Sequence, residues 1–214
     1  MDKLAAYISE GEHQTQDFKF RVDDPRKIAR TLCAFANTDG GRLLIGVKDN
    51  GKVAGVDPEE EYHIIEGAAD LYCKPKVSFE TQIWQDEHKL VLEVYVPPAP
   101  KRPVRAKDDE DKWKVYVRRD DHTLLANKIL LGVWKQKGIE RQPPQRFSDD
   151  ALQFLKTIET FQPVTISKLY RKMDVPKSFI DKLLIRFVAW KIVKMNITPE
   201  GTYYTIEEEV DFEQ

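Results

Sequence analysis

Residues 24–47 leave this chain fewer choices than any other segment. Asp24 is placed to cap a helix that carries Pro25 at its first position, and Ile28, Ala29, Leu32, Phe35 and Ala36 then recur at helical spacing. Asn37-Thr-Asp-Gly-Gly41 stops that helix: Asn37 is available to cap its end, and Gly40-Gly41 let the chain turn tightly. The apolar run Leu43-Leu-Ile-Gly-Val47 follows at once and reads as a buried strand. A helix that runs straight into a buried strand must pack on the sheet it enters.

The flanking sequence extends this unit. Leu4, Ala5, Tyr7 and Ile8 predict a short opening helix, and residues 15–20 alternate like a strand. Asp49-Asn50-Gly51 suits a hairpin turn that would pair residues 52–56 back onto the 43–47 strand. A helix is expected over 58–73, strands over 77–84, 90–96 and 113–117, and a closing helix over 124–137. Pro97 to Pro103 is too proline-rich for a central strand. The remainder predicts helices after Ser148, over 165–173 and over 177–190, then a hairpin of 192–197 with 202–206. Three helices and a hairpin in that order match a small winged helix-turn-helix domain. The expected organisation is α+β: a mixed-sheet domain over 1–138, a linker over 139–147, a winged-helix-like domain over 148–207 and an acidic tail over 208–214.

At 214 residues, with 41% hydrophobic and 33% charged residues, the chain can bury a core and is not of disordered composition. No window approaches the roughly 18 apolar residues of a membrane span, and the N-terminus lacks a signal-peptide core, so a cytoplasmic protein without a membrane partner is expected. Cys33 and Cys73 sit in apolar helical patterns and predict buried reduced thiols. Net charge is only −2, but its distribution is uneven. Lys101, Arg102, Arg105, Lys107, Lys112, Lys114, Arg118 and Arg119 crowd one stretch around an acidic knot, Asp108 to Asp111. Residues 148–206 hold 9 Lys/Arg against 6 Asp/Glu, a net +3. Both stretches are compatible with a phosphate-binding face, although charge runs are more often solvated surface.

Glu12-x4-Asp17-Phe18-Lys19, the block Ala34-Phe-Ala-Asn-Thr-Asp-Gly-Gly41, and Leu43-Leu-Ile-Gly-Val47-x-Asp49-x-Gly51 together resemble the AlbA_2 domain of Schlafen-related proteins. Val115-Tyr-Val-Arg-Arg119 resembles that family's later Tyr-x-Arg strand. The resemblance spans residues ~5 to 138, the size of one domain. It implies an AlbA_2/Schlafen-like mixed sheet with helices and nucleic-acid binding, and, as in some animal members, RNA cleavage by three acids. Those acids map onto Glu12, Asp17 and Asp49, which would be both catalytic residues and metal ligands for Mg²⁺ or Mn²⁺. Position 17 carries Asp where Glu is usual, which shortens the carboxylate's reach. The animal nucleases use two copies of the module and this chain has one, so a homo-oligomer is expected.

Candidate nucleic-acid contacts are Lys19, Arg102, Arg105, Arg118 and Arg119 in the first domain, and Lys177, Lys182 and Arg186 on the third C-terminal helix, where Asp181 interrupts the basic face. The leading expectation is a non-catalytic, nucleic-acid-binding regulator of transcription, on DNA or RNA. The alternatives are a metal-dependent ribonuclease and an ATP-binding or dimerisation module. Bacterial relatives are often described as ATP-binding, but Gly46-Val-Lys-Asp-Asn-Gly51-Lys52-Val53 ends in Val where a P-loop needs Ser or Thr, and it falls in a strand–turn–strand hairpin instead of opening a helix.

Overall fold

The computed structural model describes residues 3–136 and 143–207. It is an α+β protein that divides into two compact units, Met1–Ala126 and Asn127–Gln214.

The first unit runs α1 (Lys3–Glu10), β1 (Gln16–Lys19), α2 (Pro25–Asn37), β2 (Gly41–Ile45), α3 (Pro58–Leu71), β3 (Cys73–Lys74), β4 (Glu80–Asp86), β5 (Lys89–Val96), β6 (Arg105–Lys107), β7 (Trp113–Lys114), β8 (Tyr116–Arg119) and β9 (His122–Leu125). Its main sheet has the order β1-β2-β5-β4. β1 and β2 are parallel and the other pairs antiparallel. A parallel pair cannot be joined by a tight turn, so α2 is the crossover that makes β1–β2 pairing possible. The Asp24 side chain caps α2 as predicted, accepting from the N–H groups of Arg26 and Lys27.

The main sheet is covered on both faces. Leu43, Ile45, Leu92, Val94 and Val96 pack with Ile28, Leu32 and Phe35 of α2 and Ile65, Ala68 and Ala69 of α3. Phe18, Leu44 and Val91 pack on the opposite face with Leu4, Tyr7 and Ile8 of α1. At roughly 1.5–3 kcal/mol for each fully buried large aliphatic or aromatic side chain, these two layers dominate the stability of the unit. Two smaller sheets, β3-β6-β7 and β8-β9, complete it.

The hairpin expected after residue 47 is reduced to one bridge, Val47 with Val53, and no strand forms over 52–56. Gly46 and Gly55 hold positive φ and turn the chain away, while β5 takes the place beside β2 that the hairpin return strand was expected to fill. β6 and β9 are strands that the periodicity did not disclose. Cys33 and Cys73 are buried and form no disulfide.

The second unit contains α4 (Lys128–Lys135), α5 (Asp149–Phe161), α6 (Ile166–Lys172), α7 (Lys177–Ala189) and the hairpin β10 (Val193–Thr198) with β11 (Gly201–Ile206). Its core includes Phe154, Ile158, Leu169, Ile180, Leu184, Phe187 and Tyr204, with the Phe154 and Phe187 rings stacked at 5.8 Å. Sequence reading attaches the helix at 124–137 to the first domain. The structure instead ends β9 at Leu125, caps α4 with Asn127 and packs it on α7, where a Cβ on Gly132 would lie 2.3 Å from Ile185. Part of the expected linker and the acidic tail 208–214 lie outside the described residues. Among the described residues no helix is long and apolar enough to cross a membrane.

Candidate nucleic-acid interface

Some of the residues that carried the family resemblance, Glu12, Asp17, Lys19 and Arg118, meet at the free edge of β1. Gly11, at φ 73°, turns the chain out of α1 and delivers Glu12 to that edge. There a Glu12 carboxylate oxygen accepts the Phe18 N–H at 2.9 Å. Asp17 points to the α2 side of the sheet, where its Oδ1 meets Arg118 Nη2 at 3.0 Å and its Oδ2 meets Lys19 Nζ at 2.6 Å.

Arg118 is the tie that holds this corner together. Its side chain is 2% exposed and lies 5.2 Å from the Phe35 ring centre. Beyond Asp17, Nη2 donates to the carbonyls of Gln16 and His13, and Nη1 donates to Thr123. Burying a guanidinium is tolerable only because a carboxylate and several carbonyls replace its water. Burial pushes the Glu12 carboxyl upward, the Phe18 N–H opposes that shift, and the adjoining Asp17 carboxyl reinforces it. Asp17 is thus matched by two cations, and Glu12 is held beside them by the Phe18 N–H.

This arrangement corrects the sequence reading at Arg118, which was assigned to nucleic acid. The residue is buried with its guanidinium committed inward, so it cannot present a charge to phosphate. Asp49 is exposed in the turn after β2. Among the described residues no three His, Cys, Asp or Glu side chains are grouped so as to hold a metal ion. Glu12, Asp17 and Lys19 are brought together; Asp49 is not brought into a cation site with them.

The other candidate cations fall on different surfaces. Arg102 donates to the Thr38 carbonyl at 2.6 Å, Arg119 donates to the Arg118 carbonyl at 3.4 Å, and Arg105 is exposed on β6. Lys19 also borders a cleft of about 210 Å³ shared with Arg21, Asp23, Asp24 and Lys27. In the second unit Lys177, Lys182 and Arg186 are exposed on α7. Asp181 does not disrupt that face electrostatically, because it pairs with Lys128 at 2.7 Å and accepts from the Tyr170 hydroxyl.

Two features escaped the sequence reading. Asn37 is not the helix cap, a role filled by Thr38. Instead its amide donates to the carbonyls of Val104 and Tyr116 at 2.8 and 2.9 Å, and its oxygen accepts the Val104 N–H at 2.8 Å. The acidic knot is also engaged: Asp109 pairs with Arg30 at 2.5 Å and Asp111 with Arg26 at 3.0 Å, which docks the β6–β7 turn on α2. A strand-to-strand clamp has no local periodicity, so nothing in the sequence marks it.

The sequence profile of the family described as Schlafen, AlbA_2 matches residues 12–127, more than half of the chain. Among solved structures the chain is similar to the DIP2311 protein from Corynebacterium diphtheriae, at 18% identity and a TM-score of 0.43, over 89% of this chain and 34% of that one. It is also similar to the N-terminal domain of a RecG-related protein from Nitrosomonas europaea, at 22% identity and a TM-score of 0.43, over 69% of this chain and 100% of that one. The chain therefore spans about a third of the length of the Corynebacterium protein.

Proposed function

Because the chain belongs to the Schlafen AlbA_2 family over residues 12–127, we propose that it is a nucleic-acid-binding regulator of transcription and not a nuclease. The observation that carries the second half of this reading is the state of Asp17. Both of its oxygens are already held by cations, Oδ1 by Arg118 and Oδ2 by Lys19. A carboxylate so engaged would have to break a buried ion pair before it could bind a divalent ion, at a cost of about 3–5 kcal/mol. With Asp49 outside the cluster, the acids do not fit Mg²⁺ or Mn²⁺.

The C-terminal unit enters this reading as a winged helix. The order α5, α6, α7, then the β10–β11 hairpin supports it, with Lys177, Lys182 and Arg186 of α7 offered to phosphate. Self-association belongs to the same proposal, since one AlbA_2 copy supplies half of the groove that two-copy relatives build.

One feature favours the ribonuclease alternative: Glu12 and Asp17 stand at the same corner of β1, and the Asp17 carboxyl adds to the upward push that burial gives the Glu12 carboxyl. The two readings separate in one assay. Labelled RNA and DNA are incubated with the protein in Mn²⁺ or in chelator, with Asp49→Asn alongside. The binder shows salt-sensitive binding, no chelator-sensitive product, and equal or slightly tighter binding by Asp49→Asn, which removes a negative charge. Cleavage that chelator stops and Asp49→Asn abolishes would overturn the proposal.

A further inference from the structure

The small sheet β3-β6-β7 carries a second grouping of charge, built differently from the corner at β1. Its register pairs Lys74 with Arg105 and Lys107 with Trp113. Residues directly opposite in an antiparallel pair share a face, as do residues two apart on one strand. Lys74, Arg105, Lys107 and Trp113 therefore stand together on one face, while Cys73 and Ala106 point the other way into the core. Three cations and a tryptophan form an outer face on which no strand position carries an acid.

Lys74, Arg105 and Trp113 are exposed, and Lys107 is half-buried beside them. The Trp113 ring is 38% exposed despite its size. The Lys107 and Lys74 ammonium groups lie 5.5 and 6.0 Å from its centre, on a surface that keeps their charge beside the ring. Among the described residues neither Lys74 nor Arg105 enters an ion pair, and Lys107 reaches only Asp111, at 3.9 Å. The nearby acids are used elsewhere: Asp109 and Asp111 hold Arg30 and Arg26 of α2. The Asp108 carboxyl, drawn below its usual range first by the Lys112 N–H, shapes the turn.

We propose that this face binds single-stranded nucleic acid, with an unstacked base on the Trp113 ring and the adjoining phosphates on Lys74, Arg105 and Lys107. The inference rests on the nucleic-acid reading above and names the substrate class. An exposed flat ring can stack only a base that is free of its own stack, so it has no use for the interior of a duplex. The surrounding ammonium and guanidinium groups match a phosphate backbone in charge, and stacking on a ring tolerates any base because every base has a π-face.

The test uses the full chain and fluorescence anisotropy with a labelled oligouridylate and a labelled duplex. Trp113→Ala should weaken oligouridylate binding about 5- to 150-fold, the range for loss of one base stack, while Trp113→Phe retains most of the affinity. Lys74→Ala and Arg105→Ala should each lower the slope of log K against log salt by about 0.7, the value for one phosphate on a single strand. Unchanged circular dichroism and thermal midpoint in Trp113→Ala show that the surface, and not the fold, was altered. Should Trp113→Ala bind oligouridylate like the unaltered protein, the platform is refuted. Binding confined to the duplex, or an acidic peptide that binds with the same dependence on Trp113, would also overturn it while leaving the family-based reading standing. If no nucleic acid binds at all, both readings fall together.

Discussion

The corner at β1 and the outer face of β3-β6-β7 hold the same kinds of charged side chain and put them to opposite use. At the corner, Arg118 and Lys19 are matched to Asp17 in a site where Arg118 is 2% exposed and Asp17 6%. On the small sheet, Lys74 and Arg105 are exposed and enter no ion pair among the described residues. A buried cation is a structural cross-link whose removal orphans its partner; an exposed one is screened, contributes little to stability and remains available to a ligand. The difference lies in burial and partners and not in residue type, so a basic stretch in a sequence can contain both.

Arg118 offers the strongest means of breaking this contrast. Arg118→Ala should cost about 3–5 kcal/mol of stability, since Asp17 is left buried with only Lys19 for company. Denaturant unfolding would measure it. Replacing Asp17 and Arg118 together by apolar residues of similar volume should recover most of that loss. A single variant as stable as the unaltered protein would show that the corner is not a cross-link. Arg105→Ala, by contrast, should leave stability nearly unchanged.

Asn37 sits between the two regions, because Val104 leads into β6 and Tyr116 begins β8, the strand that carries Arg118. Asn37→Ala should cost about 2–4 kcal/mol, as it strands a buried N–H and two carbonyls that bear 1–3 kcal/mol each when unsatisfied. It should also weaken oligouridylate binding without touching a ligand, by loosening β6. Hydrogen exchange at Val104 that stays as slow as before would argue against the clamp.

Glu61 sharpens the comparison at the small end of the scale. It is buried like Asp17, but its carboxylate accepts the Val22 N–H at 3.0 Å where Asp17 meets cations. Burial accordingly pushes its carboxyl above the ordinary 4.5, with the Val22 bond opposing. The folded state therefore holds that proton more tightly than the unfolded chain does. The stabilisation it brings is complete below 4.5 and is lost as pH rises through the elevated value. Glu61→Gln, which keeps an acceptor for Val22, should remove this dependence, so its stability relative to the unaltered protein should be more favourable at pH 7 than at pH 4. An equal difference at both would show that Glu61 titrates normally.

Much of the first unit was legible because its signals are local. Asp24-Pro25 marks the start of α2 with side chains that act within one turn, and the apolar run at 43–47 can be little other than a buried strand. The candidate site was legible only in part. Glu12, Asp17 and Lys19 do come together, but that Arg118 arrives from about 100 residues away to bind Asp17 depends on how β8 returns to the sheet, which no spacing records. Trp113 was read as part of a strand, and its exposure follows from β7 lying at the edge of a small sheet. The boundary at Ala126 was hidden for a similar reason. An amphipathic helix declares that it will pack, but the partner of α4 is set by the close fit of Gly132 to Ile185.

One contact limits how this corner can change over time or at the bench. A Cβ on Gly41 would fall 2.4 Å from the Phe35 ring, the same ring that lies beneath Arg118. Phe35, Gly41 and Arg118 therefore form an interlock across helix, strand and distant return strand. A side chain at position 41 requires a smaller residue at 35, and a smaller residue at 35 removes the floor on which the guanidinium rests. These three positions are accordingly expected to be exchanged together or not at all, and any transplant of the corner into another scaffold must carry all three.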